Sequence, residues 1–230
     1  MKILIIIPAY NEAENIQRVV DDLRINYPQY DYVVINDCST DHTQNILSSM
    51  QANYINLPVN LGIGGGVQTG YRYALEHGYE IAVQIDGDGQ HDPKYIEDVI
   101  TPIENGQADA VIGSRFIENK GFQSTLSRRL GINLLSALIK VLCGVWVRDV
   151  TSGMRAVNQK MIAKYANNYA QDYPEPEAIL TAGIMKARII EVPIQMRERQ
   201  GGTSSINVLR AIYYMIKVSI ALVVTRMTAR

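Results

Sequence analysis

Residues 83–93 read VQIDGDGQHDP. A short apolar run passes straight into three carboxylates, a histidine, two glycines and a proline. Asp86 and Asp88 sit one residue apart where a strand hands over to a turn, and Gly87 and Gly89 let the backbone curl beside them. Two carboxylates so placed can share a hard divalent cation, because Mg2+ takes oxygen ligands and keeps water and substrate phosphate in its shell. Aspartate and glycine are also ordinary turn residues. The pair therefore takes its meaning from what the rest of the chain brings to the same place.

The run at 81–85 is one of several. Residues 3–7, 32–35, 52–57 and 108–112 are also short and mainly apolar rather than alternating, and a further strand is expected near 189–192. Between them lie helical patterns, as at Ile16, Val19, Val20 and Leu23, and over 40–50, 67–77 and 126–141. Short apolar strands alternating with helices predict an α/β fold whose mostly parallel sheet is covered on both faces. In open sheets of this kind ligands sit beyond the carboxyl ends of the strands. The residues following the first, second and fourth runs are Pro8-Ala9-Tyr10-Asn11-Glu12, Asn36-Asp37-Cys38-Ser39-Thr40-Asp41 and Asp86-Gly87-Asp88. Helix capping is the simpler reading for the first two, with Asp41 as a cap. Three polar turns on one edge favour a binding site.

Composition narrows the class. The chain has 230 residues, 47% of them hydrophobic, which suits one sizeable domain with a short appendage. A net charge of -1 gives no case for nucleic-acid binding. The charge is uneven: residues 186–230 carry eight basic and two acidic side chains, a local +6 on an otherwise acidic body. A basic tail of this kind suits an anionic surface. Cys38 and Cys143 form no disulfide framework or ligand-like cluster, which fits a reducing compartment. Residues 3–7 are too short a run for a signal peptide.

Residues 206–225 are apolar, with Arg210 and Lys217 inside them, and from 211 to 225 only Lys217 is charged. Fifteen helical residues span roughly 22 Å, short of the ~30 Å hydrocarbon core. An interfacial helix is expected, with Arg210, Lys217, Arg226 and Arg230 near anionic headgroups. Burial against the core or a second subunit is the alternative. The glycine-rich stretch NLGIGGGVQTG (60–70) follows the third run rather than the first and lacks GKS or GKT, so it supports neither a dinucleotide fingerprint nor a P-loop. Close approach to a nucleotide and tight helix–sheet packing both remain open for it. His91 has no neighbouring cysteine or second histidine in sequence and reads as a residue that orients the turn.

Eight segments together resemble the family 2 glycosyltransferases, in particular the branch of dolichyl-phosphate mannose synthases and bacterial polyprenyl-phosphate sugar synthases. They are IPAYNEAENI (7–16), VINDCSTDHT (34–43), NLGIGGGVQTG (60–70), VQIDGDGQHDP (83–93), IGSRF (112–116), RDVTSGMRAVN (148–158), YPEPE (173–177) and VPIQMRERQGGTSS (192–205). The resemblance implies a GT-A type fold: a glycosyltransferase domain over residues 1–205 and a membrane-associating helix over 206–230. It implies nucleotide contacts at Pro8, Tyr10, Glu12 and Asp37, and Mg2+ or Mn2+ at Asp86, Asp88 and Gln90. Asn36-Asp37 stands where relatives usually have Asp-Asp, and Cys38 where Gly is common. Asp86, Asp88 and Glu177 are the expected catalytic residues, with Glu175 the alternative glutamate. Arg115, Arg128, Arg129, Arg199 and Ser204 are the expected contacts of the acceptor phosphate, and Asp149 and Arg155 are expected to shape the site floor or to pair internally.

The implied reaction is inverting transfer of one sugar from a nucleotide diphosphate sugar, UDP-glucose or UDP-GlcNAc, to polyprenyl phosphate. The implied place is the cytoplasmic face of the cell membrane, peripherally bound. A small integral membrane partner or a homo-oligomer would complete the anchoring. The rival readings are the same fold with a carbohydrate hydroxyl acceptor, which needs a general base, a nonenzymatic module with a decayed site, and a nucleotidyltransferase.

Overall fold

The computed structural model describes residues 1–118, 126–197 and 208–229. Among these, seven strands form one sheet: β1 (Ile3–Ala9), β2 (Asp31–Asn36), β3 (Tyr54–Asn56), β4 (Ile81–Gln84), β5 (Ala110–Ser114), β6 (Arg155–Asn158) and β7 (Ile189–Pro193). Their order is β3-β2-β1-β4-β6-β5-β7. All pairings are parallel except those of β6, which runs antiparallel to both β4 and β5. The helices are α1 (Ile16–Asn26), α2 (Thr43–Ser49), α3 (Gly62–Glu76), α4 (Ile96–Glu104), α5 (Leu126–Cys143), α6 (Gln159–Asn167), α7 (Pro174–Ile184) and α8 (Val208–Thr228).

The unbroken apolar character of β1 follows from burial on both faces. Ile5 and Ile7 pack with Ile16, Val20 and Leu23 of α1 and Ile96 and Ile100 of α4. Leu4 and Ile6 point the other way, onto Val67, Tyr71 and Ala74 of α3 and Met161 and Ile162 of α6. The glycines of α3 serve this packing: a Cβ on Gly70 would lie 2.2 Å from an Ile6 methyl, and one on Gly64 2.0 Å from the Ala170 carbonyl. The glycine-rich stretch thus opens a helix pressed against the sheet and the loop before α7. A third core joins α5, α7 and α8 through Ile132, Leu135, Ile139, Leu180, Val218 and Leu222.

β1 continues through Pro8 to Ala9 rather than ending at the proline. Pro8 pairs with Ile35 of β2, and its carbonyl accepts from Gly87 N–H at 3.2 Å. Its nitrogen has no hydrogen to hold the Ile85 carbonyl on the β4 side. The next carbonyl, that of Asp86, accepts from Gly89 N–H as the chain turns away from the sheet.

Candidate active site

The polar ends of β1, β2 and β4 converge as the topology requires. A cleft of about 380 Å3 opens at the carboxyl edge, lined by Pro8, Tyr10, Glu12, Asp37, Asp86 and Asp88. Gly62 and Ile63 at the start of α3 and Asn60 before it close one side. Asp37 is buried, with its carboxylate accepting Leu61 N–H at 2.7 Å and its carbonyl accepting from the Asn60 amide at 3.2 Å. Asn36, also buried, bonds the Asn56 side chain and accepts from Ser39 Oγ, so it ties β2 to β3 and leaves Asp37 as the cleft-lining member. Cys38 has φ of 56°, the left-handed conformation that glycine adopts most readily. Asp41 works as a structural clamp: it accepts from Thr43 N–H and Oγ and from Ala13 N–H. Burial opposes its charge, but the hydrogen bonds from Thr43 and Ala13 outweigh that and hold its carboxyl below the usual value.

The acidic turn is held from beneath. The Asp86 amide donates to His91 Nδ1 at 3.0 Å, and the Asp86 carboxylate accepts from Gln84 at 3.3 Å. Asp88 accepts Gln90 N–H at 3.0 Å. Gly153 lies against the Asp86 carboxylate, where a Cβ would fall 2.5 Å from one oxygen and 2.9 Å from the other. The loop preceding the antiparallel β6 brings Gly153 there. Gly153 lay within a sequence motif without a role; its spatial neighbour is what gives it one. His91 is buried, as a residue that orients the turn should be.

Several expected contacts are engaged elsewhere. The Gln90 amide donates to the Arg197 carbonyl at 3.4 Å, while Arg197 N–H returns a bond to the Gln90 carbonyl at 2.9 Å. Arg197 also pairs with Asp92 at 2.9 Å and lies 3.7 Å from Asp22. Gln90 therefore fastens the acidic turn to the chain after β7. Glu177 accepts from Thr225 of α8 at 3.0 Å, and burial raises its pKa against that bond. The glutamate electrostatically coupled to Asp86 is Glu175: burial raises its pKa, Arg155 partly offsets this, and the Asp86 charge adds to the rise. Of the two α7 glutamates, Glu175 is the one whose carboxyl senses the Asp86 charge, while Glu177 is bonded to α8.

Arg115 is buried and closes on Asp149 with two guanidinium nitrogens at 2.6 and 2.7 Å, and its NH2 also reaches Thr151 at 3.0 Å. The internal pair is thus Arg115 with Asp149, not Asp149 with Arg155. Arg155 is buried beside Tyr71 and Tyr169 and donates to the carbonyls of Ser152 and Glu175. Burial there pushes the Tyr71 hydroxyl up to about 12. Arg129 stands over the Phe116 ring, 4.7 Å from its centre, at the start of α5. Arg199 and Ser204 lie outside the described residues, as do the side chain of Arg128 and the expected boundary at residue 205.

Among the described residues no three His, Cys, Asp or Glu side chains gather as a metal cage. Asp86 and Asp88 fit a cation that takes its remaining ligands from water and diphosphate, as Mg2+ and Mn2+ do in nucleotide sites.

Residues 4–166 match the description "Glycosyl transferase family 2". The chain belongs to that family. This family 2 glycosyltransferase is 34% identical to the UDP-N-acetylglucosamine–dolichyl-phosphate N-acetylglucosaminyltransferase of Methanococcus voltae, over 84% of each chain. It is 29% identical to the undecaprenyl-phosphate mannosyltransferase of Micrococcus luteus, over 90% of this chain and 88% of that one. Among solved structures it resembles glucosyl-3-phosphoglycerate synthase from Mycobacterium tuberculosis, crystallised with Mn2+, uridine diphosphate and glucosyl-3-phosphoglycerate. That likeness has a TM-score of 0.71 at 21% identity and covers 98% of this chain and 79% of the other. The fold of this glycosyltransferase is of the GT-A type.

Proposed function

We propose that this glycosyltransferase moves one hexose or N-acetylhexosamine from a nucleotide diphosphate sugar to polyprenyl phosphate, with inversion at the anomeric carbon. The observation that carries the reading is the cleft in which Asp37 meets the Asp86–Asp88 turn. The acceptor class is supported by relatives named for transfer to dolichyl and undecaprenyl phosphate that match along nearly the whole chain. The donor is UDP-GlcNAc or UDP-glucose, supported by the UDP-sugar in the name of the archaeal relative.

Pro8, Tyr10, Glu12 and Asp37 line the cleft, Asp37 fixed by Leu61 N–H, and are the proposed contacts of the nucleotide. Asp86 and Asp88 would hold a divalent cation, which when bound would offset the charge developing on the leaving diphosphate. A phosphate oxygen of the acceptor attacks the anomeric carbon, a new C–O bond forms, and the bond to the nucleoside diphosphate breaks. The attacking oxygen is already anionic at neutral pH, so no side chain has to remove a proton. What the chain supplies is position and positive charge on the acceptor side. Arg128, Arg129, Arg199 and Ser204 are the proposed sources of the latter. Arg115 is set aside because its guanidinium is closed on Asp149. The enzyme works on the cytoplasmic face of the membrane as a peripheral protein.

The test is a transfer assay with undecaprenyl phosphate, Mg2+ or Mn2+, and a panel of labelled UDP- and GDP-sugars. The expected result is a solvent-extractable labelled lipid with one donor, lost in Asp88→Ala. A water-soluble glycoside formed with a carbohydrate acceptor, and no labelled lipid, would replace polyprenyl phosphate with a hydroxyl acceptor.

A further inference from the structure

The loop after β1 and the loop after β2 are bound to each other through side chains. Three successive amides of the first loop each end on a different side chain between residues 39 and 43. Asn11 N–H donates to Ser39 Oγ at 3.0 Å, Glu12 N–H to Thr43 Oγ1 at 2.9 Å and Ala13 N–H to Asp41 at 3.1 Å. Both hydroxyls pass the bond on: Ser39 donates to Asn36 Oδ1 at 2.5 Å, and Thr43 to Asp41 Oδ1 at 2.6 Å. The first loop answers with the side chain of Asn11. Its Oδ1 accepts Thr40 N–H at 2.8 Å, Thr40 Oγ1 at 3.3 Å and Asp41 N–H at 3.3 Å.

Asn11 suits this place on two counts. Its φ is 56°, a left-handed conformation that asparagine enters more readily than most residues with a side chain. Its amide oxygen can take donors that a loop leaves without a strand or helix partner. Among the described residues four besides glycine have positive φ, and two of them, Asn11 and Cys38, flank the cleft from its two loops. Backbone held in sparsely populated conformations gathers where a site is preset. Tyr10 and Glu12, on either side of Asn11, line the cleft, as does Asp37 next to Cys38. Asn11 itself is exposed and stands behind that lining.

We propose that Asn11 is a positioning residue for the nucleotide: its side chain latches the loop carrying Tyr10 and Glu12 to the loop that follows Asp37, and so presets two walls of the cleft. The role rests on the reading of this cleft as the nucleotide site. Without the Asn11 oxygen, the amides of Thr40 and Asp41 turn to water, and the two loops are joined only by the bonds that the first one donates. A wall fixed in advance adds to affinity, because the ligand does not have to order it.

The test compares Asn11→Gly, which keeps the left-handed backbone and removes the oxygen, with Asn11→Asp, which keeps both. Two readouts are taken on the full-length protein. One is hydrogen exchange of the loop amides without ligand; the other is calorimetric titration with UDP and with GDP, each with Mg2+. In Asn11→Gly the amides of Glu12, Ala13, Thr40 and Asp41 are expected to exchange about tenfold faster, with β1 and β2 unchanged. Affinity for the nucleotide that the wild type binds should fall about tenfold, at a temperature well below melting. Asn11→Asp should restore both readouts to within about threefold of the wild type. Faster exchange with unaltered affinity would show a latch that only braces the loops, and would overturn the positioning role. Asn11→Asp as weak as Asn11→Gly would overturn the part given to the oxygen. A wild type that binds neither UDP nor GDP would refute the nucleotide reading of the cleft, and the role of Asn11 with it.

Discussion

Asp86 is gripped from three directions, by His91 on its amide, Gln84 on its carboxylate and the bare Cα of Gly153 against its oxygens. A methyl at residue 153 cannot be placed without moving that carboxylate. Gly153→Ala is expected to weaken Mg2+-dependent binding of the nucleoside diphosphate by about tenfold or more, leaving metal-free binding near wild type. Calorimetric titration with and without Mg2+ decides it; equal metal dependence in the two proteins would show that the gap is not needed. Glu175 offers a pH test. Its carboxyl is raised by burial, so the folded state holds its proton more tightly than the unfolded chain does. Stability from this group therefore falls as pH rises from the ordinary value of 4.5 through the raised one. Glu175→Gln should raise the melting temperature on the alkaline side of that window and flatten the pH profile, and a melting series across pH would reveal an unchanged slope if the carboxyl is not shielded. Residue roles were the least legible part of the sequence. Glu175 and Glu177 are two residues apart in a helix whose facing direction no local pattern announces. Arg115 and Asp149 are 34 residues apart, and nothing short-range pairs them.

Strands and helices were far more legible, because each is short, apolar and bounded by turn residues. The expected strands correspond to β1, β2, β3, β4, β5 and β7 within a few residues at their ends. β6 was not foreseen: its four residues, RAVN, carry one apolar pair and an arginine, too little for a strand signal. The sheet admits it because Arg155 sits opposite Gln84 in register and finds its partners behind the sheet in Ser152 and Glu175. The Arg115–Asp149 pair fastens the end of β5 to the loop that enters β6. Removing one partner strands a buried charge, so Asp149→Ala should cost about 3–5 kcal/mol of stability. Replacing both by apolar residues of similar volume should cost much less. Denaturant titration of the single and double variants would contradict this ion-pair account if their losses simply add.

For the molecule as a whole, the sequence showed the division into an acidic body and a basic end, but not which helix the end would join. That depends on α5, whose outward leucines look like core positions until α7 is seen to occupy the opposite side. α5 and α8 run parallel and in register, Gly131 beside Met215 and Leu142 beside Arg226, and this course has an electrostatic consequence. Each helix carries about half a positive charge at its start, and here both starts lie at one end of the pair. Two aligned backbone dipoles add their field to that of the basic side chains, on the edge where Asp37, Asp86 and Asp88 concentrate negative charge. The edge is thereby polarised, with a pole for the cation-carrying donor and a pole for an incoming anion. Such fields act over roughly 10 Å at 0.1 M salt and shorten as salt is added. The capture rate of a short-chain polyprenyl phosphate should therefore fall steeply with ionic strength while donor affinity changes little, and stopped-flow measurement of both across a salt series would expose a uniform edge by their parallel decline.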